Sequence, residues 1–129
     1  MERQLMADKI LLVEDDYEQA LLFSRVLAAS GYAVIDTATA EEARVKLAAE
    51  PFDLLLADWD LGGGMNGDAL ISWAKTRYPG LKSILFSNHL EVDEIAKACG
   101  ADAAFRKVDG IAPLRQLVSR LTSPDAGHS

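Results

Sequence analysis

Short apolar runs that each lead to a chemically active residue constrain this chain most. Ile10-Leu11-Leu12-Val13 leads into Glu14-Asp15-Asp16, Leu54-Leu55-Leu56-Ala57 into Asp58-Trp59-Asp60, and Ile84-Leu85-Phe86 into Ser87-Asn88. A fourth segment, Ala103-Ala104-Phe105, comes just before Lys107. Continuous apolar runs this short suit parallel strands buried on both faces. Strands that finish on acids, a hydroxyl and a lysine gather those groups at one edge of a sheet. Carboxylates gathered there repel one another unless a cation joins them. The pattern therefore points to a divalent-metal site beside a reactive aspartate.

Helix-like segments fill the intervals. One is expected over about Tyr17–Ser30, with Gly31 in the C′ position that favours glycine. Ala33–Ile35 reads as a strand, and Glu41–Glu50 as a helix stopped by Pro51. The glycine-rich turn Gly62-Gly63-Gly64-Met65-Asn66-Gly67 precedes a helix over about Asp68–Arg77, closed by Pro79-Gly80. Further helices are expected over Glu91–Cys99, ending at Gly100, and over about Ala112–Leu121, with Pro113 in the first turn. Strand ends then fall near Asp15, Asp36, Asp58, Ser87 and Lys107, at intervals of 21, 22, 29 and 20 residues. That rhythm is one βα unit per step with right-handed crossovers. The expected fold class is α/β: a doubly wound, five-stranded parallel sheet of order 2-1-3-4-5, flavodoxin-like. It should occupy residues 8–121, between an N-terminal extension (1–7) and a polar tail (122–129). Ligands of such sheets bind beyond the carboxyl ends of the strands, at the switch point between strands 1 and 3. This rule puts Glu14 and Asp15 beside Asp58, with Ser87 and Lys107 arriving from strands 4 and 5.

The 129 residues suit one domain, and half of them are hydrophobic, enough to bury a core. Thirteen basic against 20 acidic residues give a net charge of −7, which disfavours nonspecific binding to nucleic acid or anionic membranes. One cysteine, Cys99, excludes an intramolecular disulfide and agrees with a cytoplasmic setting. No apolar run approaches the roughly 20 residues of a membrane span, and the first residues lack a signal-peptide core.

Asp15 and Asp58 can supply carboxylates to Mg2+ (or Mn2+), with Glu14 acting through a water. Asp58 can attack phosphorus and become an acyl phosphate. Lys107 would add positive charge toward the phosphoryl oxygens, and Ser87 would donate a hydroxyl hydrogen bond. At this point the chain resembles the receiver domain of two-component response regulators. The residues that carry the resemblance are Leu-Leu-Val-Glu-Asp-Asp (11–16), Phe-Asp-Leu-Leu-Leu-Ala-Asp (52–58), Leu-Phe-Ser-Asn (85–88) and Gly-Ala-Asp-Ala-Ala-Phe-Arg-Lys (100–107). The resemblance implies that Glu14 and Asp15 form the acidic pair and that Asp58 is the phosphoacceptor. It implies that the backbone carbonyl of Asp60 completes the metal shell, that Ser87 is the switching hydroxyl, and that Lys107 is the conserved-type lysine. The donor it implies is a phosphohistidine on a sensor histidine kinase or a histidine phosphotransfer protein. The protein would be a phosphoacceptor switch, not an enzyme, and would stand alone without an output domain. Its readout face would be helix 4–strand 5–helix 5, through which it could also form a homodimer.

Several positions depart from the family pattern. The loop after the acceptor usually has proline four residues on and glycine eight on; here Gly62 and Gly67 make it one residue longer. The lysine is followed by Val108 instead of proline, so a trans peptide and a reshaped loop are expected. Ala104 occupies the place of the switching aromatic, with Phe105 of opposite strand parity. Asn88 replaces a small residue and is a candidate to contact the phosphoryl group or narrow access to it.

Plainer roles are expected elsewhere. Asp16 reads as a helix N-terminal acid, Asp36 and Asp53 as solvated, and Cys99 as a small core-side hydrophobe. His89 reads as a surface residue near the pocket mouth. On helix 1, Leu22, Phe23, Val26 and Leu27 are expected to form the buried stripe. That leaves Leu21 with Ala20, Ser24 and Ala28 as an outward patch for kinase docking. Two other functions remain in view: a receiver-like adaptor that never carries phosphate, and a phosphatase using Asp58-Trp59-Asp60 as a DxD motif.

Overall fold

The computed structural model describes residues 8–62 and 64–122. The expected 1–7 extension, Gly63 and the tail beyond Thr122 lie outside the described residues. Five strands, β1 (Lys9–Val13), β2 (Ala33–Thr37), β3 (Leu54–Asp58), β4 (Lys82–Ser87) and β5 (Ala103–Arg106), alternate with helices α1 (Tyr17–Ala29), α2 (Ala40–Ala49), α3 (Gly67–Arg77), α4 (Val92–Cys99) and α5 (Ile111–Thr122). All pairings are parallel and the order is β2-β1-β3-β4-β5. Each expected element is present, and α5 takes in Thr122, the first residue of the expected tail.

Strand parity builds the two cores. Ile10, Leu12, Leu54, Leu56, Ile84 and Phe86 face the side covered by α1 and α5, where Phe23, Leu27, Leu114 and Val118 meet them. Leu11, Val13, Leu55, Ala57 and Leu85 face the side covered by α2, α3 and α4. Both faces of the central strands are thus removed from water, which explains why they carry no polar alternation. Phe105 and Ala104 fall on opposite sides, as their parity requires: Phe105 is buried beneath α1 and α5, and Ala104 packs toward α4.

Two turns position the site. After β1, Asp16 caps α1 and its Oδ1 accepts the Gln19 N–H at 3.1 Å. After β3, the chain must reverse within a few residues to start α3. Gly67 makes this possible: a Cβ there would lie 2.0 Å from the Asp58 carbonyl oxygen, and its N–H donates to Trp59 O at 2.9 Å. The extra loop residue is absorbed before Gly67. Asp60 Oδ1 accepts from Gly62 N, Asn66 Oδ1 from Leu61 N, and Glu41 Oε2 from Met65 N.

The phase of α1 corrects one expectation. Ala20, Phe23 and Leu27 are its buried residues, Leu21 is half-buried and Leu22 is 49% exposed. The apolar residue turned to solvent is therefore Leu22, and Ala20 belongs to the core and not to an outward patch. Every position from 20 to 23 is apolar, so composition cannot choose the phase. The Asp16 cap and the sheet contact of Phe23 choose it.

Candidate functional site

The C-terminal ends of β1, β3, β4 and β5 open into one pocket of about 440 Å³ whose lining includes Glu14, Asp15, Asp58, Ser87 and Lys107. Glu14, Asp58 and Ser87 are buried, whereas Asp15 and Asp60 are exposed. Below the site, in the core, the Phe86 ring lies 5.0 Å from the Lys107 ammonium and meets Phe23 edge-on at 5.4 Å.

Lys107 organises the acids. Its Nζ donates to Asp58 Oδ2 at 2.9 Å, Glu14 Oε1 at 3.0 Å and Gln19 Oε1 at 2.6 Å. All three ammonium hydrogens therefore have acceptors. Burial by itself would lower the Lys107 pKa, but the bonds and charges of Asp58 and Glu14 raise it above the usual lysine range. Glu14 is raised as well, which for a carboxyl disfavours the charged form. Burial, helped by the Asp58 charge, pushes it up to about 7, against the Asp16 N–H bond and Lys107, which lower it. Asp16 N–H donates to Glu14 Oε2 at 3.0 Å, so Glu14 is fixed on both oxygens.

Carboxylate oxygens of Glu14, Asp15 and Asp58 lie within 4.8 Å of one another. This is a hard-oxygen donor set with more negative charge than Lys107 balances, the chemistry that suits an Mg2+-type cation. Gly62 leaves room at the rim, since a Cβ there would come 3.1 Å from Asp15 Oδ2. Asp60 bends its backbone into the site, with its N–H on Asp58 Oδ1 at 3.2 Å, while its own carboxylate is engaged in the following turn.

The hydroxyl and loop residues complete the rim. Ser87 Oγ accepts from His89 N at 2.9 Å, which leaves the hydroxyl hydrogen free to be donated. His89 Nδ1 accepts from Glu91 N, and the ring meets Trp59 edge-on at 5.1 Å beside the pocket mouth. Asn88 lines the mouth, but its Oδ1 accepts the Val108 N–H at 3.0 Å. Lys107–Asp109 form a single 3-10 turn with trans peptides, the reshaped loop expected for a chain with Val108 in place of proline.

Sequence reading placed Glu14, Asp15, Asp58, Ser87 and Lys107 together, and the structure brings them together. It missed Gln19. The available signal was Asp16-x-x-Gln19, a half capping box that puts Gln19 in the first turn of the helix leaving the pocket. The reciprocal bond of such a box is absent because Glu14 takes the Asp16 N–H. Of the docking candidates, Leu21 and Ser24 are half-buried, Ala28 is exposed and Ala20 is buried. No helix among the described residues is long and apolar enough to cross a membrane.

A family model described as "Response regulator receiver domain" matches residues 10–119. The response regulator protein FleR of Pseudomonas aeruginosa is 36% identical over 99 residues, covering 77% of this chain and 21% of FleR. This chain thus spans about a fifth of that relative. Sporulation initiation phosphotransferase F of Bacillus subtilis is 29% identical over 118 residues, 90% of this chain and 94% of the relative. A CheY-like response regulator receiver domain protein from Methanospirillum hungatei JF-1 superposes with a TM-score of 0.77 at 32% identity, covering 89% and 94% of the two chains. The response regulator protein TrrA of Thermotoga maritima, in complex with Mg(2+)-BeF, has the same fold, with a TM-score of 0.82 at 23% identity over 88% and 98%.

Proposed function

This chain belongs to the response regulator receiver domain family, and from that premise we propose that Asp58 accepts a phosphoryl group from a phosphohistidine. The carrying observation is the Asp58 carboxylate, buried, joined to Lys107 at 2.9 Å and clustered with Glu14 and Asp15.

In the transfer, an Asp58 carboxylate oxygen forms the new O–P bond as the donor's P–N bond breaks. The electron pair of that bond leaves with the imidazole. Catalysis of such a transfer is chiefly positioning and charge compensation. Lys107 stands where it can turn an ammonium hydrogen from Asp58 to a phosphoryl oxygen. Ser87 holds a free hydroxyl hydrogen for another, and His89 N–H fixes its oxygen. Glu14, Asp15, Asp58 and the Asp60 carbonyl would hold Mg2+ or Mn2+, which when bound supplies positive charge against the phosphoryl oxygens. The binding of Mg(2+)-BeF by the Thermotoga relative supports that reading.

The donor would be a sensor histidine kinase or a histidine phosphotransfer protein; the phosphotransferase relative of Bacillus subtilis supports a relay role. The proposed docking surface is the exposed side of α1, where Leu22 is turned to solvent, with Leu21 and Ala28 on its flank. The proposed readout and self-association surface is α4–β5–α5. A DxD phosphatase needs the second aspartate as acid and base, whereas Asp60 Oδ1 accepts from Gly62 N.

The test is labelling of the purified protein by acetyl phosphate with Mg2+, read by intact mass beside Asp58→Asn. One phosphate on the wild type, lost in the variant and without Mg2+, is expected. Persistent labelling of Asp58→Asn refutes the assignment. A folded, Mg2+-binding wild type that no donor labels favours the adaptor.

A further inference from the structure

We infer that Asn88 is a positioning residue for phosphoryl transfer: it fastens the loop that carries Ser87 to the segment that carries Lys107. The inference rests on the reading of Asp58 as phosphoacceptor. Backbone pairing between β4 and β5 ends at Ser87 and Arg106. Beyond that rung two side chains continue the connection. Asn88 Oδ1 accepts the Val108 N–H at 3.0 Å, and Arg106 Nη2 donates to Leu90 O at 3.0 Å. Because an N–H must meet an oxygen, the Val108 contact also settles which way the Asn88 amide faces.

Each partner in the Asn88–Val108 bond directly follows a residue of the site. Ser87 precedes Asn88, and Lys107 precedes Val108. Movement of the Ser87 hydroxyl toward an incoming phosphoryl oxygen therefore pulls on the backbone of Lys107. Two departures from the family pattern become one contact. A proline at 108 would have no N–H to give, and a small residue at 88 would have no oxygen to receive it. Ala104 supplies no large side chain to couple the strands from the α4 side, so the hydroxyl and the lysine are coupled here through the loops. Arg106 acts alongside, and the residues held by the two ties, Leu90 and Val108, are 77% and 74% exposed.

The experiment compares wild type, Asn88→Ala and Asn88→Asp in the whole chain, with acetyl phosphate and Mg2+. The saturated labelling rate and the half-saturating donor concentration are measured separately, together with hydrogen exchange at the Val108 amide. Loss of one hydrogen bond corresponds to roughly three- to tenfold. Asn88→Ala should lower the saturated rate and speed Val108 exchange by about that factor, leaving half-saturation unchanged. Asn88→Asp keeps an acceptor oxygen and should keep Val108 protected. A raised half-saturation at an unchanged saturated rate would mean that Asn88 binds the donor itself and would overturn the inference. Faster labelling would mean that it only narrows access, with the same consequence, as would unchanged Val108 exchange. A wild type that no donor labels overturns the reading of Asp58 as phosphoacceptor, a failure distinct from a labelled wild type that Asn88→Ala matches.

Discussion

Gly67→Ala tests how the backbone around Asp58 is held. The added Cβ would lie 2.0 Å from Asp58 O, 2.7 Å from Asp58 C and 3.2 Å from Trp59 Cα. All three are backbone atoms at the end of a central strand, so no side chain can swing aside. Relief requires the start of α3 to move outward by about 1 Å, which strains the Gly67 N–H bond to Trp59 O. Overpacking of this kind costs about 1–3 kcal/mol, and loss of the bond adds about 1 kcal/mol. For a domain of this size the sum corresponds to a fall in Tm on the order of 10 °C. Because the clash is with the phosphoacceptor's own carbonyl, labelling by acetyl phosphate should slow as well. Gly80→Ala is the control: nothing lies within 4 Å of its added Cβ, and its φ is not positive. That variant should match the wild type or gain up to about 1 kcal/mol. The assay is urea unfolding of both variants beside labelling kinetics. Equal unfolding midpoints for Gly67→Ala and wild type, with equal labelling, would refute the reasoning.

The pocket carboxyls should make stability depend on pH in chelator. Glu14 titrates at about 7 in the folded chain against an ordinary value of 4.5. Its linked stability is therefore complete below about 4.5 and is lost as pH rises through 7, by at most about 3 kcal/mol. Glu14→Gln should flatten the urea midpoint between pH 5 and 8, and saturating Mg2+ should flatten the wild type. An identical slope in the variant would count against Glu14 as the titrating group. On the helix surface, Leu22→Glu should slow transfer from a phosphohistidine donor protein by roughly five- to tenfold and leave acetyl phosphate labelling unchanged. Leu21→Glu should have a smaller effect. Equal slowing of Leu22→Glu with both donors would remove α1 as the docking surface.

The sequence by itself determined the sheet and the order of the site. Apolar runs such as Ile10–Val13 and Leu54–Ala57, this short and spaced one βα unit apart, read as buried strands, and the residues just after each run then lie at its carboxyl end. Glu14, Asp15, Asp58, Ser87 and Lys107 were legible for that reason, since each position depends on local chain direction plus one topology. Only the tertiary structure decided how side chains far apart in sequence share contacts. Leu21 and Leu22 are equally apolar, and the choice between them depended on Asp16 capping α1 and Phe23 meeting Phe86. The half capping box places Gln19 in the first turn of α1, but its contact with the site exists only because Lys107, 88 positions later, donates to it. Sequence makes Asn88 a candidate to contact the phosphoryl group or narrow access to it; that its oxygen accepts the Val108 N–H follows only from how the two loops meet. The raised pKa of Glu14 likewise comes from burial that no neighbour in sequence imposes. Periodicity reports which way a backbone runs and which face it buries, whereas hydrogen bonds between loops arise only once the strands have brought their ends together.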